Sequence, residues 1–448
     1  MRPTETNIAI CGHAKHGKST VAGRLLYTLK AIGDSDLKKY KAEAEKRGKD
    51  FNEFSMVFLS QRKGVFEKGL PSDLSRTVFP ERGSVVLKEN RLLTLIDTPG
   101  YSRFIDNIIY GIFLADMAIL IVEASAGVGL GTLAVCRILS AFAIPTVAIY
   151  VTKMDVVGYS QLRFDEVKEQ IADKVLPILH RGSAAAPPVI PVSALSGAGF
   201  ASENKDLSWY HGVGAIEAIE QAKLANAPES VAVTRFAVEG SKEIFSPPGL
   251  GTVLVGSLET GKLQPNDELI IEPASTKEGK PITIRIRSIQ RARSVNSPRS
   301  TATETSISAR AIVAIATSDV GRVAADKYLR HGGVLGPRPN PPMTATEVCA
   351  EMIFFEPDTV YSGKQYTMLA NTSRGTARIL EVIKPEVGKL DLEADEFDAK
   401  AMEPIKAHLK LDYPLCIEAT EEFQRLTRFV LREHNRVVAC GRCLRIIS

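Results

Sequence analysis

The sequence predicts an α/β domain with a mostly parallel sheet and helices on both faces, followed by two antiparallel β-barrel domains. Three observations carry this expectation. Up to about Asn226, short apolar runs of strand length alternate with helix-like stretches, the pattern of a parallel sheet buried on both faces. Beyond Asn226 the helical pattern nearly stops, and strands bounded by turn residues take over, as in Gly249–Gly256 and Leu269–Ile271. The Pro/Gly-rich joint Gly336–Pro342 then opens a second β-rich stretch. The expected boundaries are residues 1–226, 227–338 and 339–448.

The first strand, Asn7–Cys11, runs directly into Gly12, His13, Ala14, Lys15, His16, Gly17, Lys18 and Ser19, with a helix-like stretch from Thr20 to Tyr27 behind it. This is G-x-x-x-x-G-K-S/T in its strand–loop–helix setting. Glycines let backbone N–H groups turn inward on a phosphate, the lysine meets phosphate charge, the hydroxyl serves Mg²⁺, and the helix N-terminus favours the anion. Gly12 to Thr20 are therefore assigned to nucleotide phosphates, and Ser19 also to the metal.

Later strands end in further motifs, on the sheet edge where open α/β folds take ligands. Leu92–Ile96 leads into Asp97-Thr98-Pro99-Gly100. There Asp97 can hold Mg²⁺ through water and the Gly100 N–H can meet a γ-phosphate. Met117–Val122 is the next strand. Thr146–Val151 follows it and leads into Thr152, Lys153, Met154 and Asp155. The Asp155 carboxylate can accept hydrogen bonds from guanine N1–H and the 2-amino group, a pattern adenine lacks, so it selects GTP and GDP over ATP. The Lys153 stem would lie along the base. After Val189–Val192, the run Ser193, Ala194 and Leu195 can offer a backbone N–H to guanine O6. Leu162–Leu176, stopping before Pro177, is the clearest helix between these strands.

Composition excludes little. The apolar share of 44% and charged share of 24% are those of an ordinary globular protein, and 56 basic against 52 acidic residues leave a net charge of +4. The longest apolar run, Ile112–Val122, is broken by Asp116, and no signal-peptide pattern precedes the first strand. A cytoplasmic protein, free of the membrane and monomeric when alone, is expected. Six scattered cysteines fit reduced thiols, and Cys440-Gly441-Arg442-Cys443, without a second ligand pair, reads as ordinary strand cysteines.

Taken together, these motifs resemble the translational GTPases of the elongation factor Tu / elongation factor 1-alpha family, in its archaeal and eukaryotic branch. The likeness runs through essentially the whole chain. The phosphate loop is similar to the family's G-H-V-D-H-G-K-S/T, and Thr152–Val167 to its N-K-M-D-L-V-x-Y-S-x-x-R-F-x-E-I. The Leu25–Tyr27 run and the charged insert Lys38–Lys49 have the branch's character. Gly251–Gly261 resembles the second domain's G-T-V-P-V-G-R-V-E-T-G, and Arg425–Arg432 with Val438–Gly441 the closing strands of the third. The resemblance implies a GTPase domain with two barrels, GTP or GDP with Mg²⁺, the ribosome and aminoacyl-tRNA as partners, and use of a nucleotide exchange factor.

Departures from the pattern fall on switching rather than on binding. Tyr101 stands where the family has the histidine that positions the hydrolytic water, and a phenol, though both donor and acceptor, does not act as an imidazole would. Slow or partner-dependent hydrolysis is expected. The family's G-I-T-I-D is not intact: forward matching puts Pro71 at its threonine, backward counting points to Thr77, and Ser72 is a second candidate for the switch hydroxyl on the metal. Lys15 replaces an acidic residue, Thr152 the usual asparagine, and Gly131 a glutamine. Alternatives to aminoacyl-tRNA delivery are a release- or rescue-type factor, the GTPase subunit of a sulfate adenylyltransferase, and a guanine-nucleotide-dependent binding protein with little turnover.

Overall fold

The computed structural model describes residues 4–48, 51–59, 81–87, 91–101, 105–179, 186–201, 205–222, 233–238, 244–246, 251–275, 281–291, 307–308, 311–321, 325, 327, 329, 332–384, 388–390, 397–401 and 403–448. They fall into two compact units, one within residues 1–227 and one from 228 onward. Pro71, Ser72 and Thr77 lie outside the described residues.

The first unit is built on a six-stranded sheet. Its strands are β1 (Thr4–Gly12), β2 (Glu81–Leu87), β3 (Arg91–Asp97), β4 (Met117–Glu123), β5 (Thr146–Thr152) and β6 (Val189–Pro191). They lie in the order β2-β3-β1-β4-β5-β6, parallel except for β2, which pairs antiparallel with β3 at the edge. Every residue from Met117 to Val122 is buried, so both faces of β4 are covered. Ile8, Ile10, Leu95, Ile119, Ile121 and Tyr150 share one core.

The connecting helices are α1 (Lys18–Thr28), α2 (Asp34–Arg47), α3 (Glu53–Leu59), α4 (Ile105–Phe113), α5 (Leu130–Ala141), α6 (Gln161–Lys174), the single turn α7 (Leu176–Leu179) and α8 (Ala215–Gln221). The Leu162–Leu176 expectation thus becomes α6, capped by the Ser160 hydroxyl accepting from Arg163 N–H at 3.3 Å, plus α7. Strand β1 lies between β3 and β4, where the strand order reverses. The loop after it therefore opens into the crevice at the carboxyl ends of the strands, where α/β sheets bind ligands.

The second unit holds two antiparallel systems. The first contains β7 (Arg235–Val238), β8 (Ile244–Phe245), β9 (Thr252–Thr260), β10 (Lys262–Leu263), β11 (Glu268–Ser275), β12 (Pro281–Arg285), β13 (Ser288–Arg291), β14 (Ile307–Ser308), β15 (Ile312–Thr317) and β16 (Gly333–Pro337). The main ladder runs β12-β11-β16-β7-β9-β15-β13. The Gly336–Pro342 joint begins inside β16 and turns at Arg338.

The second system contains β17 (Thr344–Phe354), β18 (Asp358–Val360), β19 (Gln365–Ala370), β20 (Ser373–Lys384), β21 (Gly388–Leu390), β22 (Phe397–Ala399), β23 (Pro404–Cys416), β24 (Arg428–Glu433) and β25 (Arg436–Ile446). Here β19-β24-β25-β17-β23-β20 closes on itself through the β19–β20 pairing, a six-stranded barrel. Cys440 and Cys443 lie on β25, the placement expected of ordinary strand cysteines.

Arg235 joins the two systems. Its side chain is 1% exposed and pairs with Glu418 at 2.7 Å. It also donates to the carbonyls of Thr234, Asn340 and Pro341 and to Asn340 Oδ1, and its guanidinium lies 4.4 Å from the Phe423 ring centre.

Candidate nucleotide site

The phosphate loop leaves β1 at Gly12, whose φ of 148° and closeness to the Ile121 carbonyl exclude a side chain. At its far end Gly17, with φ 89°, precedes α1 without a side-chain cap, and no acidic residue stands in the first turn of α1. Among the described residues, only the His16 N–H of this loop closes a turn bond, to His13 O at 3.4 Å. The N–H groups of Ala14, Lys15, Gly17, Lys18 and Ser19 have no acceptor among the described residues. Such a row of donors on a helix N-terminus is an anion cradle. Lys18 Nζ donates to His13 O at 2.8 Å, and burial pulls its pKa down against the pull of Asp97.

Asp97, at the end of β3, accepts from Ser19 Oγ at 2.5 Å. Thr98 anchors the turn through its hydroxyl on Ile10 O at 2.9 Å. Gly100 presses so closely on Ala14 and Lys18 Nζ that a Cβ there would collide with both. The turn is thus seated against the cradle. Ser19 and Asp97 supply two hard oxygen donors, and no cluster of three metal-ligating side chains exists among the described residues. This donor set suits a hard cation such as Mg²⁺ that takes its remaining ligands from phosphate and water. Tyr101, 45% exposed, stands at the outer end of the same turn.

Thr152, in place of the usual asparagine, donates its hydroxyl to His16 O at 2.7 Å and approaches Val122 O at 3.3 Å. It thereby ties the phosphate loop to β5. His16 is 5% exposed, and its Nδ1 accepts from Glu123 N–H at 3.3 Å. Burial, then the neighbouring His13 imidazole, lowers the His16 pKa to about 4, so the ring is neutral at pH 7. His13 is exposed and packs where Gly131 lacks a side chain.

The base side of the crevice is shaped by the turn after β5. Lys153 adopts a left-handed φ of 58°, and its Nζ pairs with Glu123 Oε2 at 2.8 Å. The Asp155 carboxylate, half-buried, has no side-chain partner among the described residues. Ser193 is fully buried, and its Oγ accepts from Ser196 N–H at 3.4 Å. The N–H groups of Ala194 and Leu195 find no acceptor among the described residues, whereas their carbonyls accept from Arg24.

Three residues of the site went unread in the sequence. Arg24, on α1, holds the 194–195 loop from behind while its guanidinium lies 3.9 Å over the Phe54 ring. Asn52 donates to Thr20 Oγ1 at 3.2 Å and starts α3 by a reciprocal exchange with Ser55 at 2.9 and 3.1 Å. Glu123 is the third. Only the Asn-x-x-Ser spacing at Asn52 carried a local signal.

Fold and site define a P-loop nucleotide-binding protein with β-systems appended. Residues 4–240 match the family model described as the elongation factor Tu GTP binding domain, and residues 347–444 match the GTP-eEF1A C-terminal domain-like model. The chain is 31% identical to elongation factor 1-alpha of Pyrococcus furiosus, covering 98% of this chain and 97% of that protein. It is 30% identical to the Nanoarchaeum equitans elongation factor 1-alpha, over 97% and 95%. Among solved structures it is similar to the Saccharomyces cerevisiae Ski7 GTPase-like domain (TM-score 0.76, 15% identity, 99% of this chain and 97% of that one). It is also similar to elongation factor SelB of Methanococcus maripaludis (TM-score 0.65, 17% identity, 100% and 80%). The chain belongs to the elongation factor Tu / elongation factor 1-alpha family of translational GTPases.

Among the described residues, no helix is long and apolar enough to cross a membrane.

Proposed function

We propose that this protein binds GTP and GDP with Mg²⁺ and delivers an aminoacyl-tRNA, or a partner of tRNA shape, to the ribosome, with slow or partner-dependent hydrolysis. The observation that carries the nucleotide assignment is the pairing of an unclaimed Asp155 carboxylate with unclaimed N–H groups at Ala194 and Leu195. These are an acceptor for the guanine N–H edge and donors for O6, at the ends of adjacent strands. Lys18 and the backbone of Gly12–Thr20 bind the phosphates, with Gly100 facing the γ-phosphate. Ser19 ligates the metal, Asp97 acts through water, and Thr77 is the proposed switch hydroxyl. The metal's contribution is to neutralise phosphate charge.

For hydrolysis, Tyr101 is the residue that matters. Its phenol can hydrogen-bond a water, but an imidazole's ready proton exchange near pH 7 is missing. The protein is proposed to act in the cytoplasm as a monomer when free, with an exchange factor, and with functional domains at 1–226, 227–338 and 339–448. The family's own relatives, named elongation factor 1-alpha over nearly their full length, support the delivery reading.

The test is GTP turnover measured alone, with ribosomes, and with ribosomes plus aminoacyl-tRNA. The expected result is slow turnover alone and stimulation only in the last mixture. Stimulation by ribosomes without tRNA would favour a release- or rescue-type factor. Stimulation by ATP and sulfate with a second subunit would favour sulfate adenylyltransferase. The second reading, a nucleotide-dependent binding protein with little turnover, is favoured by Tyr101 and predicts no stimulation in any mixture.

A further inference from the structure

Glu123 occupies the last position of β4, directly opposite Thr152 of β5 in the parallel ladder. It reaches both loops of the nucleotide site at once. Its backbone N–H donates to Nδ1 of His16 in the phosphate loop. Its carboxylate accepts from Lys153 Nζ at 2.8 Å through Oε2 and from Ser125 Oγ at 2.6 Å through Oε1. Arg163 holds the following turn, donating to Ala124 O at 2.8 Å and to Ser125 O at 3.1 Å. The Glu123 side chain is 15% exposed and that of Lys153 35%. The pair is therefore partly shielded, and the carboxylate is placed by two donors, Lys153 Nζ and Ser125 Oγ, one on each oxygen.

We infer that Glu123 is a positioning residue for guanine: it tethers the Lys153 ammonium so that the lysine's aliphatic stem is presented to the base. The inference rests on the proposed reading of the Thr152–Asp155 turn as the base site. Lys153 needs such a tether for two reasons. Its backbone sits at φ 58°, a conformation a non-glycine residue holds at a cost, and it persists only where surrounding contacts fix it. A free lysine also has four rotatable bonds, and ordering them on ligand binding weakens affinity. A charge-assisted hydrogen bond made before the ligand arrives removes part of that cost. Burial works against the Glu123 charge, yet the hydrogen bonds from Lys153 and Ser125 hold its carboxyl below the ordinary glutamate range, so it is ionised at pH 7. Through His16 the same residue keeps phosphate loop and base loop in register.

The experiment measures GDP affinity calorimetrically in the full chain for Glu123→Ala, Glu123→Gln, Lys153→Met and the Glu123→Ala/Lys153→Met double variant, with Asp155→Asn assayed against GDP and xanthosine diphosphate. A single charge-assisted hydrogen bond corresponds to about tenfold in affinity. Glu123→Ala is expected to weaken GDP binding by about tenfold. Glu123→Gln, whose amide oxygen still accepts from Lys153, is expected to restore most of it. The double variant is expected to bind no more weakly than Lys153→Met alone, since an untethered stem and a tethered one differ only when the ammonium is present. Wild-type affinity in Glu123→Ala, or a full tenfold further loss in the Lys153→Met background, would overturn the inference. Asp155→Asn separates this from the reading beneath it. A switch to xanthosine diphosphate upholds the base site whatever Glu123 does, and no switch removes the base site itself.

Discussion

His16 shows how one residue can be a histidine by composition and an uncharged spacer by environment. It sits in the loop proposed to receive phosphate, where a cation would be the natural guess. Burial instead keeps the imidazole neutral, with its pKa near 4. The consequence for stability has a definite sign. Between about pH 6.5, the ordinary value, and pH 4, the unfolded chain takes up a proton that the folded chain refuses. The stabilising contribution is present in full above that window and is lost as the pH falls through it. His16→Gln retains an acceptor for the Glu123 N–H and cannot titrate. Its melting temperature should fall less than that of the wild type between pH 7.5 and pH 5. Parallel declines in the two proteins would show that His16 is not the responsible group.

Among the elements, α1 and α3 meet at a point with no room to spare. A Cβ at Gly23 would strike the Phe54 carbonyl, and Arg24 beside it lies over the Phe54 ring. Gly23→Ala has to push the helices apart, an overpacking cost of about 1–3 kcal/mol that urea denaturation would read directly. An unchanged midpoint would mean that α3 yields freely. The same pair of helices marks what was legible beforehand. The parallel strands were readable because their apolar runs, such as Leu92–Ile96 and Thr146–Val151, are short, continuous and bounded by turn residues. Strand β2 was not, because Glu81-Arg82-Gly83-Ser84 opens it with charge and flexibility and only Val85–Leu87 looks like a strand. The motif residues of the site were legible because each set is contiguous in sequence. Arg24 with the 194–195 carbonyls, some 170 positions away, and Glu123 with Lys153 pair only after the sheet has formed.

At the scale of the second unit, its two β-systems are held by a fully desolvated ion pair at Arg235 and Glu418. The pair is well satisfied, with the guanidinium hydrogens taken by Asn340, Pro341 and Thr234. Removing only the arginine leaves Glu418 buried without its counter-charge. Arg235→Met should therefore destabilise the protein by about 3–5 kcal/mol, and Arg235→Met with Glu418→Met should recover a large part of that loss. Chemical denaturation of the two variants measures both numbers. Equal loss in both would mean that the hydrogen bonds to the 340–341 turn matter more than the charge pair.

The uncapped start of α1 carries one more consequence, for how the folded state is maintained. The N–H groups of Ala14, Lys15, Gly17, Lys18 and Ser19 have no acceptor among the described residues, and beside the desolvated Lys18 ammonium the proposed nucleotide phosphates would satisfy them. The native basin is thus deepened by mass action, by about 4 kcal/mol when free nucleotide stands a thousandfold above its dissociation constant. Nucleotide supply then sets resistance to unfolding, and depletion of guanine nucleotides would show first as faster proteolysis of this domain.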